Sequence, residues 1–464
     1  MRKLFSFIIG GIIALGVITF LAIQLSISIW IKNNYQSILN TVNTSPNFVL
    51  KVMKFERGWF TSKATVQITI KSPWLQTQQR DAALVTRSNP IQFTVQQRIK
   101  NGPWIFGAHK FLWATALIQS TSDNANFKFN SQTVIHFNNA TDTTFKAKSM
   151  TITNTQRQFV VNDMTSHSTF SPKTQRMNFK ISLGSATMVE KQSNVVSPQD
   201  YQQKIAVKNV TFNEQLQQVK PIWYGNRSIA IDKVTYHHSQ NQPIVLTHVM
   251  LSTQTSRHNS TSTSTINAHA NSITGADLNL QPIDLKLAIG GMDTQAIINF
   301  SNAALKLRST PQLSKQQLQT LHLPFIALIN KGFSATLDHL NVGTPEGMIN
   351  ATAHLTVPKQ AGASNILLAL ENTSGELHLQ MPMAWLHRQL ITFHFISNAS
   401  NQKSSPDAAA KQQIQHWLTN KKLIQEGQNV KISITYENGR LLINGLPPSH
   451  HQAPVPIYQY SPHL

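Results

Sequence analysis

Ser400 and Lys403, three residues apart, together with Ser122-Asp123-Asn124, have the side-chain types of a serine acyl-transfer site. The chemistry would be attack by a hydroxyl whose proton a nearby base removes. The order along the chain is the reverse of that arrangement. The accompanying Lys-Thr-Gly is missing, and Ser400 falls in a stretch that reads as a loop. The likeness is one of composition by chance. Gly-x-Ser-x-Gly and the phosphate-cradling P-loop are also absent. The 18 histidines include two adjacent pairs, His237-His238 and His450-His451. Neighbours on a strand point to opposite faces, so neither pair makes a metal site by itself. No His-Glu-x-x-His occurs, and the 19 acids are spread too thinly to offer a carboxylate pair for acid–base work. The histidines read as solvated groups that add positive charge in mild acid. The absence of cysteine excludes thiol nucleophiles, zinc–thiolate sites and disulfides. No catalytic, cofactor-binding or metal residue is assigned, and no cofactor is expected.

One dense cluster remains. In Phe55 to Lys71, FERGWFTSKATVQITIK, an acid, a base, a glycine and two aromatics (Glu56, Arg57, Gly58, Trp59, Phe60) precede a strand. Ala64, Val66, Ile68 and Ile70 alternate with polar residues in that strand. Gly58 permits a tight backbone. Trp59 and Phe60 are expected to close an end of the core, with Glu56 and Arg57 pairing nearby or facing lipid headgroups. On this reading Trp59→Ala unfolds or is degraded. The alternative makes Trp59 a ligand platform.

The elements that position this cluster begin with the N-terminus. No charge lies between Lys3 and Lys32, and Leu4 to Ile31 exceeds the roughly 20 apolar residues that cross a bilayer. A cleaved signal has an apolar core of roughly 7–15 residues. We expect an uncleaved anchor over 4–31, a short cytoplasmic end over 1–3, and the remainder outside the cytoplasm. Gly10, Gly11 and Gly16 lack the spacing of a helix-dimer motif.

Beyond the anchor the chain reads as mainly β with several helices, an α+β class of extended, curved antiparallel sheet modules. Strands are expected at 91–99, 145–153, 177–183, 205–212, 228–236, 285–289, 349–357 and 376–381. Asn438-Gly439 marks a hairpin between two apolar strands. Helices are expected from Asp293, with the acid in the first turn; from Ser314, interrupted by Pro324; from Pro382; and from Asp407 as an N-cap. Loops are expected at 74–90, 184–203, 254–266 and 398–406. Two β-rich modules, 32–260 and 261–446, are placed either side of a join near 255–270, with a loose proline-rich tail over 447–464.

The order of these features resembles the YdgA-like family, bacterial single-pass inner-membrane proteins with a domain of unknown function. The resemblance is carried by FERGWFTSKA, and by IKNGPW with Gly102 and Pro103, where Asn101 replaces an expected histidine. It continues through LAIGGMDTQAI around Asp293, GELHLQMPMAWL, and the closing ITYENGRLLINGLP with Asn438, Gly439, Asn444 and Gly445. It implies a tethered periplasmic domain and brings no reaction or cofactor. A fainter likeness in architecture is to AsmA-like proteins, linked to lipid traffic.

Charged residues make up only 13% of the chain, and the net charge is +21. In a cytoplasmic protein this would suggest nucleic acid; the anchor removes that partner. Anionic lipid or an envelope glycopolymer suits a dispersed basic surface, as would a basic proteome. Protein partners are not identified by the sequence. The first functional expectation is a non-enzymatic scaffold or envelope-maintenance factor. The second is a lipid-binding or lipid-transfer module, should the apolar sheet face form an open groove. The third is an enzyme with an unrecognised site.

Overall fold

The computed structural model describes residues 24, 26–29, 31, 48–70, 91–106, 111–153, 157–191, 201–219, 222–238, 242–275, 278–307, 315–360, 372–397, 405–437 and 439–448. Among these residues no helix is long and apolar enough to cross a membrane. Most of the expected anchor over 4–31 lies outside them, as do the end 1–3, the loop 74–90, Ser400, Lys403, Asn438 and His450-His451. The fold is mainly β, antiparallel throughout, with few helices. The chain divides into two compact units: Met1–Trp223 with Arg227–Pro243, and Tyr224–Asn226 with Ile244–Leu464.

The first unit contains a meander. Its strands pair in the order β1 (Phe48–Glu56), β2 (Thr61–Ile70), β3 (Ile91–Asn101), β6 (Ala116–Asn124), β7 (Phe127–Ile135), β8 (Thr141–Thr153), β9 (Arg157–Ser171), β10 (Arg176–Lys191) and β11 (Tyr201–Val219). A short hairpin, β4 (Trp104–Phe106) with β5 (Phe111–Trp113), is inserted between β3 and β6. β12 (Ile222–His238) follows. The core packs Val66, Ala64, Ile99 and Ala116 against Ile27 and Ile31 of the N-terminal segment. A second cluster stacks Phe93 on Phe127, with ring centroids 4.7 Å apart.

The strands are much longer than the sequence pattern suggests. Positions 184–191 and 201–203 of the expected loop are strand, and the 254–266 stretch is a hairpin. The reason is a change of phase. In β10 the apolar residues are Met177, Phe179, Ile181 and Leu183, then Ala186 and Met188; β9 and β11 shift likewise at Asp163 and Asn209. Register puts Asp163 opposite Gly184 and Gly184 opposite Asn209, and β8 carries an extra residue, Lys148, at the same row. Asp163 and Asn209 have φ of 52° and 50°, the left-handed region that Asn and Asp tolerate best after glycine. A Cβ on Gly184 would lie 3.1 Å from that of Asp163. A left-handed residue reverses the pleat, so residues three apart share a face. A strict two-residue alternation stops at this row although the strand continues.

The second unit holds a sheet in which β13 (Ile244–His258), β14 (Thr261–Ala270), β17 (Ile283–Asp293), β18 (Phe333–Thr344), β19 (Gly347–Val357), β20 (Ser374–Pro382) and β22 (Asn429–Glu437) are successive neighbours. β15 (Ser272–Gly275) pairs with β13, and β16 (Leu278–Leu280) pairs with β15. β21 (Ile424–Glu426) and β23 (Arg440–Ile443) pair with β22. The join expected near 255–270 falls in the β13–β14 hairpin, inside this unit. A pair of helices separates sheet neighbours twice: α1 (Thr294–Leu307) and α2 (Lys315–Asn330) after β17, α3 (Met383–Ser397) and α4 (Pro406–Thr419) after β20.

The helix starts differ in detail from the sequence reading. Asp293 is the residue before α1, and its Oδ1 accepts the Ala296 N–H at 2.8 Å; it caps the helix instead of lying in its first turn. Ser405 caps α4, Pro406 is first, and Asp407 lies within the first turn, where its charge favours the dipole. Pro382 ends β20, and α2 runs through Pro324 as one helix that gives up a single backbone bond there. The Asn438-Gly439 hairpin is present: Glu437 pairs with Arg440 and Gly439 has φ 73°.

Two outcomes follow. Asn209→Val, forced to positive φ, should lower stability by about 1–2 kcal/mol relative to Asn209→Gly in thermal unfolding. The second concerns His269 on β14, which bonds Asp284 Oδ1 at 2.6 Å and Asn271 Oδ1 at 2.9 Å. The Asp284 bond, then the Asn271 bond, raises its pKa above the ordinary 6.5. A raised folded value gives stability that is fully present below about pH 6.5 and lost as pH rises through that value. The loss from His269→Ala should therefore be larger at pH 5.5 than at pH 8. Partial exposure keeps the difference below about 1 kcal/mol.

Candidate functional site

The β1–β2 turn carries the Glu56–Phe60 cluster, and three successive carbonyls in it, of Gly58, Trp59 and Phe60, accept bonds from one residue. Asn101, at the end of β3, donates its backbone N–H to Phe60 O at 2.9 Å and its side-chain amide to Gly58 O and Trp59 O, each at 3.0 Å. The N-terminal segment adds two more donors. Ser28 Oγ gives 2.8 Å to Gly58 O, and Gln24 Nε2 gives 3.3 Å to Trp59 O and 2.7 Å to Asn101 O. Gln24 and Ser28 are fully buried, and Asn101 nearly so. The oxygens Gln24 Oε1 and Asn101 Oδ1 are buried without a hydrogen-bond partner among the described residues. The carbonyl-facing amides therefore fix both side-chain orientations at some cost.

The two glycines are obligatory for packing. A Cβ on Gly58 would lie 2.0 Å from Thr61 O, and one on Gly102 would lie 1.8 Å from Ala114 O. Gly102 donates to Thr115 O at 2.7 Å, and Pro103 O accepts from Ala114, which opens the β4–β5 hairpin. Glu56 pairs with Lys54 at 2.6 Å instead of with Arg57; that bond holds the Glu56 carboxyl below its usual range and the Lys54 amine above its own. Trp59 and Phe60 do not close the core. Each is 53% exposed, because the carbonyls, not the rings, face inward.

The features just described lie within a longer match. A family model described as "Bacterial protein of unknown function (DUF945)" covers residues 1–449. The chain belongs to the DUF945 family. No curated protein and no solved structure matches it. Membership in DUF945 brings no activity with it.

Asn444 has φ 49° and ties β22 to the end of α4. Its Oδ1 accepts Ser433 N–H at 2.7 Å and its Nδ2 donates to Lys421 O at 2.8 Å, while Gly445 completes the turn at φ 79°. Elsewhere in the second unit, α3 and α4 border a cleft of about 730 Å³. His387 Nε2 lies 3.2 Å from Asp407 Oδ1 without the angle of a hydrogen bond, and Asp407 Oδ2 lies 2.8 Å from Lys411. Lys411 holds the Asp407 carboxyl below the usual range. Arg388 pairs with Glu346 at 3.1 Å. The described residues lining the cleft carry no hydroxyl or thiol, so this histidine–aspartate contact has no nucleophile to activate there. Among the described residues no group of three His, Asp or Glu could hold a metal ion. His238 stacks on Tyr236, and Ser122 is buried on β6.

The sequence singled out Gly58, Gly102 and Pro103 but missed Gln24, Ser28 and the part played by Asn101. The signal was available: two polar side chains four apart at the end of an apolar run share a helical face. An asparagine offers two side-chain N–H groups to adjacent carbonyls, where a neutral histidine offers one.

Asn101→Asp puts a carboxylate against two carbonyls and should lower stability by about 3–5 kcal/mol in thermal unfolding of the full chain. Trp59→Ala should change it by no more than about 1 kcal/mol and leave the protein folded.

Proposed function

We propose that the chain is a single-pass envelope protein: the apolar run from residue 4 crosses the bacterial inner membrane, its last residues, 24–31, seat on the sheet instead of in the bilayer, and the β-rich remainder stands on the periplasmic side as a non-enzymatic scaffold. The observation that carries this reading is the burial of Gln24 and Ser28 against the carbonyls of Gly58, Trp59 and Asn101. The uncharged run ends on the sheet as a fixed joint. A leader destined for removal has no need of such a joint, and a tether that orients a scaffold does. Arg2 and Lys3 favour a cytoplasmic N-terminus.

A second reading, lipid binding, has its own support. Val161, Ala186 and Val207 form one cross-strand row over β9–β11, and Met164, Leu183 and Val210 form another beyond the pleat reversal. Met164, Leu183 and Val210 are only half-buried. The apolar face thus continues across the row with partial access.

A phosphatase reporter fused after Leu464 should be active only outside the cytoplasm, and the full chain should retain its first 31 residues by intact-mass measurement. A cytosolic reporter or a mature chain lacking residue 28 defeats the tether. Mass spectrometry of the purified full chain separates the two readings. Stoichiometric lipid lost in Leu183→Asp would favour lipid handling; its absence favours the scaffold.

A further inference from the structure

Successive connections of an antiparallel meander alternate between its two ends. The β1–β2 turn, the β3–β6 connection with its hairpin, and the β7–β8 turn all fall at one end. Hydrogen bonds fix their adjacency: Asn101 N–H to Phe60 O, Gly102 N–H to Thr115 O, and Thr115 N–H to Ile135 O. This end carries Trp59, Phe60, Trp104, Phe111, Trp113 and Phe137, each between 43% and 59% exposed. Trp113 bridges the group, with ring centroids 5.9 Å from Trp104 and 5.4 Å from Phe137. Exposed cations stand on the same end: Arg57 in the β1–β2 turn, Lys63 on β2 and Arg98 on β3.

We infer that this aromatic end is a membrane-docking surface, seated in the headgroup layer of the bilayer that the chain's own N-terminal run crosses. The inference rests on the tether reading above. Its independent support is one of level. Residues 4–23 are 20 in number, and a helix of that length spans about 30 Å, the thickness of the hydrocarbon core. Gln24, the next residue, is bonded to Trp59 O and Asn101 O. The turn bearing Trp59 therefore stands at the level where hydrocarbon gives way to headgroups. Amphipathic aromatic rings concentrate at that depth, and basic side chains there meet anionic lipid. An exposed apolar group of this kind in open water would be a liability.

The test uses the full chain in nanodiscs of phosphatidylethanolamine and phosphatidylglycerol brominated near the carbonyl end of the acyl chain. Among the described residues three tryptophans lie in the surface: Trp59, Trp104 and Trp113. Replacing all three by phenylalanine keeps the rings and should reduce the quenched tryptophan fluorescence by half or more. A second chain, with Trp113 as its sole tryptophan, should be quenched at least twofold more by shallow than by deep bromines. Unchanged quenching in the triple variant, or no quenching of Trp113, overturns the docking surface. Alkaline carbonate extraction separates this from failure of the tether. A protein that stays in the membrane with unquenched Trp113 loses only the docking surface; one that is washed out loses both.

Discussion

Three carbonyls pointing the same way are the constraint on which the first unit depends. In the β1–β2 turn, Gly58, Trp59 and Phe60 direct their oxygens inward, where unmatched acceptors would each cost about 1–3 kcal/mol. Asn101 answers all three, and Gln24 and Ser28 share two of them. The arrangement requires glycine at 58 and 102, because Thr61 O and Ala114 O occupy the space of a side chain. It also sends Trp59 and Phe60 outward. One local bonding problem thus sets the joint with the N-terminal segment, the absence of side chains at two positions, and the aromatic character of the end.

The long strands continue the same economy of local devices. A row of left-handed or glycine residues, Asp163, Gly184 and Asn209, reverses the pleat in three neighbouring strands at once. One reversal alone would throw half of its strand's apolar residues to the wrong face. Made together, the reversals keep neighbouring rows matched and let a strand of 19 residues hold Ile205, Val207, Val210 and Phe212 on one side across the row. In the second unit the helix pairs cover part of the sheet, and Trp417, Leu418 and Trp385 pack on Val430 and Met381.

Much of this is legible in the sequence alone. The mainly β class, the Asn438-Gly439 hairpin and the helix regions follow from period and turn chemistry, which are local. The strand lengths do not, because alternation is the ruler and the left-handed residues break it without ending the strand. The helix caps shift by one or two positions, at Asp293, Ser405 and Pro382, since sequence cannot tell a cap from a first-turn acid. Trp59 and Phe60 read as inward-facing because large apolar groups usually go there; the prior claim of the backbone carbonyls is invisible without Asn101 beside them. Gln24 and Ser28 escape notice because an apolar run invites reading by average hydropathy, not by which face its few polar side chains share.

The most direct measurement of the joint is a double-mutant cycle between Gln24→Leu and Asn101→Ala, read by thermal unfolding of the full chain in one detergent. If the N-terminal segment and the turn form a single bonded body, the two losses should depart from additivity by about 0.5–3 kcal/mol, because both side chains donate to Trp59 O. Additive losses would mean that the segment and the sheet are energetically separate, which contradicts a fixed joint between them.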